Sequence, residues 1–495
     1  MSFRPLRLTP LARSCAYGFL SAIALLGAAG PAIASPWAEV GDAQLRSDIE
    51  VLSAAGVIDN VTSQWPLPWA SIVSRLESGA AEGQPDYVRD AAERVLEHAK
   101  ADLHPDSFAA SVTADATNLP SVVRGFDALG REDLQAQVSA EYMTDDAAIR
   151  INAGAQVDHK SGHVEFMPDG SYGAVKLGGA LVYLGYVTHW WGPGWRSALS
   201  LSNNARPMPQ IGIERADTSA FQSPWLSWIG PWQMEFLVGW LDDSRIATNT
   251  IFVGFQTTIN PFPGFEFGFG RTTEMCGEGH NCSLGDYFNI DNGPGHVNKT
   301  NDEGDIHLRY TSTYAGYPFE IYTQFMNEDT NPFTHSFTSH LVGGSVWFPM
   351  GDSMLRTTVE YAESVPTVDI FSFGDVGHGI AYNNGDYVDG MRYRGRTLGF
   401  SLDSDSALLT LQASYRDGGN NIFTVTFDNA AVSNPHNLLG NVVTTAPVHI
   451  NLFTARAEIP YRGMLFDIEG RVQDDQPRPD HGATAAIEAA AKVPF

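Results

Sequence analysis

The sequence predicts an all-β protein: a transmembrane antiparallel β-barrel of about 18 strands with a small N-terminal helical bundle. Three observations carry this. Apolar and polar residues alternate with a period of two over most of the 495 residues, charged residues reach only 18%, and 11 Trp, 17 Tyr and 27 Phe accompany 48 Gly. A typical soluble domain carries roughly 25% charged residues, so a long, weakly charged, aromatic-rich chain suits one large closed sheet better than several soluble cores. Beyond the first thirty residues no apolar run approaches the roughly 18 residues of a spanning helix, which excludes a helical membrane protein. The 57 acidic residues against 30 basic ones, a formal charge of −27, exclude a nucleic-acid binder that must neutralise phosphates.

Residues 1–34 hold Arg4, Arg7 and Arg13, an apolar stretch from Tyr17 to Ala29, and Ala32-Ile33-Ala34 before Ser35. This is the pattern of a secretory signal peptide, too short to span a bilayer as a stop-transfer helix. Its removal takes the three arginines with it, so the charge of −27 becomes −30.

Segment 35–106 has the helical period. Leu45, Ile49, Leu52 and Val57 mark one face, with Asp42 as a cap and Gly56 as a stop. Tyr87, Ala91, Val95 and His98 mark another, and a Trp65-Pro66-Leu67-Pro68-Trp69 turn lies between them. Three short helices are expected, with acidic faces that suit water.

Segment 107–476 is the expected barrel. Leu134, Ala136, Val138, Ala140 and Tyr142 alternate with Gln135, Gln137, Ser139 and Glu141, and the same pattern recurs through Ile306 to Tyr310, Leu355 to Tyr361, Leu409 to Tyr415 and Phe466 to Val472. A soluble sandwich also alternates. Charged Arg309, Arg356, Glu360 and Arg471 at strand centres call for a wet lumen, however, and Tyr142, Tyr310, Tyr361 and Tyr415 at strand ends fit interfacial girdles. Eighteen strands leave about 22 residues for each strand and its connection, enough for tilted spanning strands of about 9 to 11 residues.

Segment 477–495 is expected to be a C-terminal tail. Gly463 to Gln473 is the last alternating strand, whereas Ala483 to Lys492 has the composition of an Ala-rich helix, so Phe495 is not expected to close the barrel.

Cys15 falls in the leader, leaving Cys276 and Cys282 for a small disulfide loop in an oxidising compartment. The rival is a metal site of Cys276, His280 and Cys282, which lacks a fourth ligand, so no metal is expected. The acid-rich stretch from Asp286 to Asp305, with Asp291, Asn292, Asp302 and Glu303, lacks EF-hand spacing and is expected as a solvated loop. Gly351-Asp352-Ser353 is ordinary turn chemistry between two strands, His159 and His163 have no third ligand, and no H-E-x-x-H, P-loop or G-x-S-x-G occurs. No enzyme and no cofactor are expected.

Seven of the 11 tryptophans fall between Tyr183 and Asp243: Trp190, Trp191, Trp195, Trp225, Trp228, Trp232 and Trp240. Indole faces stack on sugar rings while amides and guanidinium groups bind hydroxyls, so Trp190, Trp191 and Trp195 with Asn203, Asn204 and Arg206 are the expected polysaccharide site. The alternative is that these tryptophans belong to a girdle or brace the lumen.

The stretch His189-Trp190-Trp191-Gly192-Pro193-Gly194-Trp195, followed by Leu201-Ser202-Asn203-Asn204-Ala205-Arg206-Pro207-Met208-Pro209, resembles the Wzi-type capsule assembly family. Pro36-Trp37, Gly41-Asp42-Ala43-Gln44-Leu45-Arg46-Ser47-Asp48-Ile49 and Trp65 to Trp69 are similar to that family's amino-terminal helical segment. The resemblance implies an outer-membrane barrel of about eighteen strands with a periplasmic helical bundle, acting as a lectin that holds exported capsular polysaccharide at the cell surface. The expected partners are that polysaccharide and outer-membrane lipids, with the protein a monomer; a diffusion porin for small solutes and an outer-membrane hydrolase acting on lipid or glycan are the alternative functions.

Overall fold

The computed structural model describes residues 35–103, 107–159, 161–242, 244–280, 282–288, 299–328, 337–370, 377–433, 440–478 and 480–495. The leader, and Asp291 and Asn292 of the acid-rich stretch, lie outside the described residues. Nineteen segments pair into one closed antiparallel sheet. Two of them, Val164–Met167 and Tyr172–Leu177, pair with the same neighbour and are halves of one strand, so the barrel has eighteen strands. In chain order these are β1 (Ser107–Thr117), β2 (Leu134–Met143), β3 (Ala147–Val157), β4 (the two halves just named), β5 (Ala180–Gly185), β6 (Gln210–Arg215), β7 (Trp232–Trp240), β8 (Thr250–Phe262), β9 (Phe265–Cys276), β10 (Asn301–Tyr314), β11 (Tyr317–Glu328), β12 (Thr338–Met350), β13 (Ser353–Thr367), β14 (Ala407–Arg416), β15 (Ile422–Val432), β16 (Val448–Tyr461), β17 (Met464–Gln473) and β18 (Thr484–Pro494).

The two ends of the barrel differ. Tight turns close most hairpins at one end, and two of them, Ala315-Gly316 and Arg462-Gly463, have positive φ at both residues (51° and 86°, 50° and 79°), which matches the twist of paired strands. Segments 118–133, 186–209, 277–300, 368–406 and 433–447 connect strands at the other, the loop end. Along the strands the outward residues are largely apolar and most of the inward ones polar, with Leu237, Phe252, Leu341 and Trp347 among the apolar side chains that face the lumen: Ile321 on β11 is 58% exposed while neighbouring Glu320 is 1% exposed. Trp232 and Trp240 occupy the two ends of the outer face of β7, one at each rim.

Three helices enter at the turn end: α1 (Ala43–Ala54), α2 (Trp69–Glu77) and α3 (Asp86–Asp102). Asp42 caps α1, its carboxylate accepting from the Leu45 N–H at 2.7 Å. The expectation of water-facing helices is corrected for α1, where Arg46, Asp48 and Glu50 are as buried as Leu45, Ile49 and Leu52. The apolar stripe packs on α3, and the polar stripe meets lumen side chains that bond it, Arg309 at Glu50 and the Trp347 indole N–H at Ser47, so the whole helix is enclosed. The outer face of α3, with Glu93 and Glu97, is exposed as expected.

The C-terminal tail is also corrected. Thr484–Pro494 is β18, paired with β17 on one side and β1 on the other, and the Phe495 N–H donates to the Ala110 carbonyl at 2.9 Å. Alanine favours helix locally, but a missing strand would expose the edges of β17 and β1 to hydrocarbon, where unpaired backbone groups cost several kcal/mol each. The segment alternates after all, with Glu488 buried on the lumen side and Ile487 exposed on the outer side.

Candidate functional site

The connection 186–209 folds inward from the loop end and meets the helical plug inside the barrel. Trp190-Trp191 pairs as a short antiparallel ladder with Gln64-Trp65. The chain passes close to the wall at Gly192, where a Cβ would lie 2.6 Å from Oε1 of Gln324. Arg46 of α1 donates to the carbonyls of Pro193 and Gly194 at 2.7 and 2.9 Å, so plug and inward loop are joined directly.

This enclosure corrects the expectation that Trp190, Trp191 and Trp195 present open stacking planes. The first two are fully buried and Trp195 is 4% exposed. The Trp195 ring lies beneath the guanidinium groups of Arg356 at 3.5 Å and Arg46 at 4.2 Å, and its Nε1 donates to Glu320 at 2.6 Å. Phe126 meets Trp65, Trp190 and Trp195 edge-on. The other four tryptophans of the dense stretch sit elsewhere: Trp232 and Trp240 on the outer wall, and Trp225 and Trp228 in the connection between β6 and β7 at the turn end.

The polar members of the predicted site are also engaged. Asn203 donates to the carbonyls of Gly125 and Phe126 at 3.1 and 2.9 Å, and Asn204 to that of Thr397 at 2.9 Å. Arg206 reaches Asp169 at 2.7 Å, Glu165 at 3.2 Å and the Phe166 carbonyl at 3.1 Å. There β5 and β6 are only six residues long, and Val164–Met167 pairs with β3 alone, so Arg206 caps a sheet edge its neighbours do not reach.

Above these residues, at the loop end, four guanidinium groups gather. Besides Arg206 they are Arg131, 3.6 Å from Asp169; Arg394, 3.6 Å from Glu165; and Arg396, 3.2 Å from Glu132. Arg394-Gly395 is the turn of a small hairpin joining Arg392–Tyr393 to Arg396–Thr397, with φ of 48° and 74°. Arg394 (46% of its side chain) and Arg396 (27%) reach solvent. Burial brings the Arg131 guanidinium down to about 10, with Asp169 opposing, so it remains cationic at neutral pH. None of Arg131, Arg394 and Arg396 was singled out from sequence, although Arg392-Tyr393-Arg394-Gly395-Arg396 is a basic run in an acidic chain.

Cys276 and Cys282 are joined as a disulfide. His280 is turned away from a ligand role, its ring 4.2 Å from that of Tyr387, and among the described residues no group of three or more His, Cys, Asp or Glu is placed to hold a metal.

Residues 104–476 match the family described as capsule assembly protein Wzi. A 315-residue stretch is 27% identical to a Klebsiella pneumoniae protein described as an uncharacterized 55.8 kDa protein in the cps region; it covers 61% of this chain and 60% of that relative, under two thirds of its length. The fold superposes with a TM-score of 0.81 on Wzi of Escherichia coli, described as an outer membrane protein involved in group 1 capsule assembly and a carbohydrate binding β-barrel. The two share 21% identity over 92% of this chain and 99% of that chain.

Proposed function

Because the chain belongs to the Wzi capsule assembly family, we propose that it is an outer-membrane lectin that binds exported capsular polysaccharide at the loop end of its barrel and holds it on the cell surface. Barrels of this kind keep short turns in the periplasm and long loops outside, so on this reading the helices enter the barrel from the periplasmic side and the hairpin 392–397 lies at the surface. The observation that carries the proposal is the gathering of Arg131, Arg206, Arg394 and Arg396 at that end of a chain whose formal charge is −27. An acidic polymer is repelled by the chain as a whole and finds its local cations there, with Tyr393 packed beside Arg394.

On this proposal Arg206, buried against Asp169 and Glu165, adds its charge to the cluster from below, and Arg394 and Arg396 are the cations open to the polymer. Asn203, Asn204, Trp190, Trp191 and Trp195 hold the loops that carry these charges: Asn204 fixes the hairpin through Thr397, and Arg131 donates to the Asn203 carbonyl at 3.0 Å. A diffusion porin is disfavoured because α1 and the inward loop meet within the lumen.

The test is polysaccharide binding by detergent-purified protein in which Arg394 and Arg396 are both alanine. Affinity should fall several-fold while the barrel remains heat-modifiable. Unchanged affinity would move the site away from this hairpin.

A further inference from the structure

We propose that the connection between β6 and β7, residues 216–231, is a foot set into the phospholipid leaflet at the turn end of the barrel, and that it ties the helical plug to that leaflet. Its tip carries Trp225, Leu226 and Trp228, which are 86%, 41% and 65% exposed to water in the isolated chain. Ser227–Ile229 forms a single 3-10 turn that spreads these side chains. Two large indoles left in water are costly, whereas at the boundary between headgroups and acyl chains the ring is buried and its N–H stays wet.

The loop's own packing sets the occupant. Phe221 stacks on Trp232 with ring centroids 4.6 Å apart and planes 19° from parallel. Trp232 lies on the outer face of β7, so the loop leans along the lipid side of the wall and not across the lumen mouth. Ile213, Met234 and Phe262 on β6, β7 and β8 extend the same apolar surface from the tip into the spanning wall. Arg215 sits 3.8 Å over the Trp232 ring and donates to its carbonyl, a cation at the height where phosphate headgroups lie. Continuity with the lipid-facing wall therefore points to phospholipid, and not to a second copy or a periplasmic protein.

The base of the foot is fastened to the plug. The Thr218 N–H donates to Ser71 Oγ of α2 at 2.7 Å, and the Thr218 hydroxyl donates to Asp59 at 3.1 Å. Thr218 also accepts from the Trp232 N–H at 3.0 Å. One threonine thus joins the leaflet-bound loop, the wall and the helical segment. The inference rests on the barrel spanning a membrane and not on the glycan site.

The test uses the full-length protein in liposomes made with phospholipids brominated near the headgroup, compared with a W225F/W228F variant. In the wild type an extra share of tryptophan emission should be quenched by bromine, and that share should disappear in the variant. Iodide added from the aqueous side should leave it largely unquenched. A nitroxide attached at S227C reports the depth without altering either indole, and should collide with oxygen more than with a water-soluble nickel chelate. Emission quenched by iodide but not by bromine places the tip in water, and emission protected from both places it under protein. Either result overturns the proposal.

Discussion

Arg309 of the wall and Glu50 of the plug are bonded to each other with 1% of either side chain exposed. Glu266 at 3.0 Å and Glu320 at 2.8 Å complete a ring of three carboxylates around this one guanidinium, fastening α1 to β9, β10 and β11. Removing the cation leaves the acids buried together. Breaking such a pair from one side costs about 3–5 kcal/mol, so Arg309→Met should loosen the plug strongly, and Glu50→Gln, which keeps an acceptor, should loosen it less. Hydrogen exchange over residues 43–54 measures this, with heat modifiability checking that the barrel itself survives. Wild-type protection in Arg309→Met would show that the cluster does not hold the plug.

The tryptophans of the inward loop give a second prediction. Trp191 and Trp195 have no face open to a sugar, so their replacement by alanine acts through packing. Each should cost roughly 3–5 kcal/mol of stability, the range for deleting a buried aromatic. Binding expressed per correctly folded molecule should be unchanged. A variant that folds normally and has lost polysaccharide would place these rings in the site.

Charge reversal at the hairpin gives a third. Arg394 and Arg396 are partly solvated, so each should contribute about 0.5–1 kcal/mol to holding an acidic glycan. R394E/R396E should therefore bind several-fold more weakly than the double alanine variant. The wild type should also lose affinity as ionic strength rises from about 0.05 to about 0.5 M, because salt shortens the Debye length. Binding that ignores salt would remove the electrostatic basis of the proposed site.

Strand residues such as Leu409, Leu411 and Tyr415 declared the barrel because alternation is a local property, set by which face of a strand meets lipid. The turn signals and the Cys276–Cys282 pair were equally local. What alternation does not carry is depth. Trp195 and Trp232 are indistinguishable as letters, yet one lies beneath two guanidinium groups in the lumen and the other on the outer wall, because segment 186–209 turns inward while β7 stays in the sheet. Likewise Thr484–Pro494 reads as helix by propensity and is a strand because two distant edges require a partner. The arginines of the loop end come from segments 118–133, 186–209 and 368–406, so only the closed barrel brings them together.

The last prediction concerns Asp102, at the end of α3, whose carboxylate accepts from Trp69 Nε1 at 3.0 Å. Burial, and next the charge of Glu39, push this carboxyl well above its ordinary range, while Lys492, the Trp69 bond and Arg150 pull the other way. The docked helix therefore holds the Asp102 proton more tightly than a detached one. A group with a raised folded-state value stabilises docking fully below the unfolded value, near pH 4, and that contribution is lost as pH rises through the folded value. His98, 3.8 Å from Asp102, has the opposite sign: burial lowers it, so its contribution is present above about pH 6.5 and is lost as pH falls. Asp102, His98 and Lys492 all line a cavity of about 410 Å³ beside the plug, through which protons can reach them. Asp102→Asn keeps an acceptor for Trp69 but carries no titratable proton. Protection factors over residues 86–102 should therefore fall in the wild type as pH rises through the raised Asp102 value, and that fall should be absent in Asp102→Asn, which keeps only the His98 dependence and is several-fold better protected at the alkaline end. The same pH slope in both proteins would show that Asp102 does not govern the docking of α3.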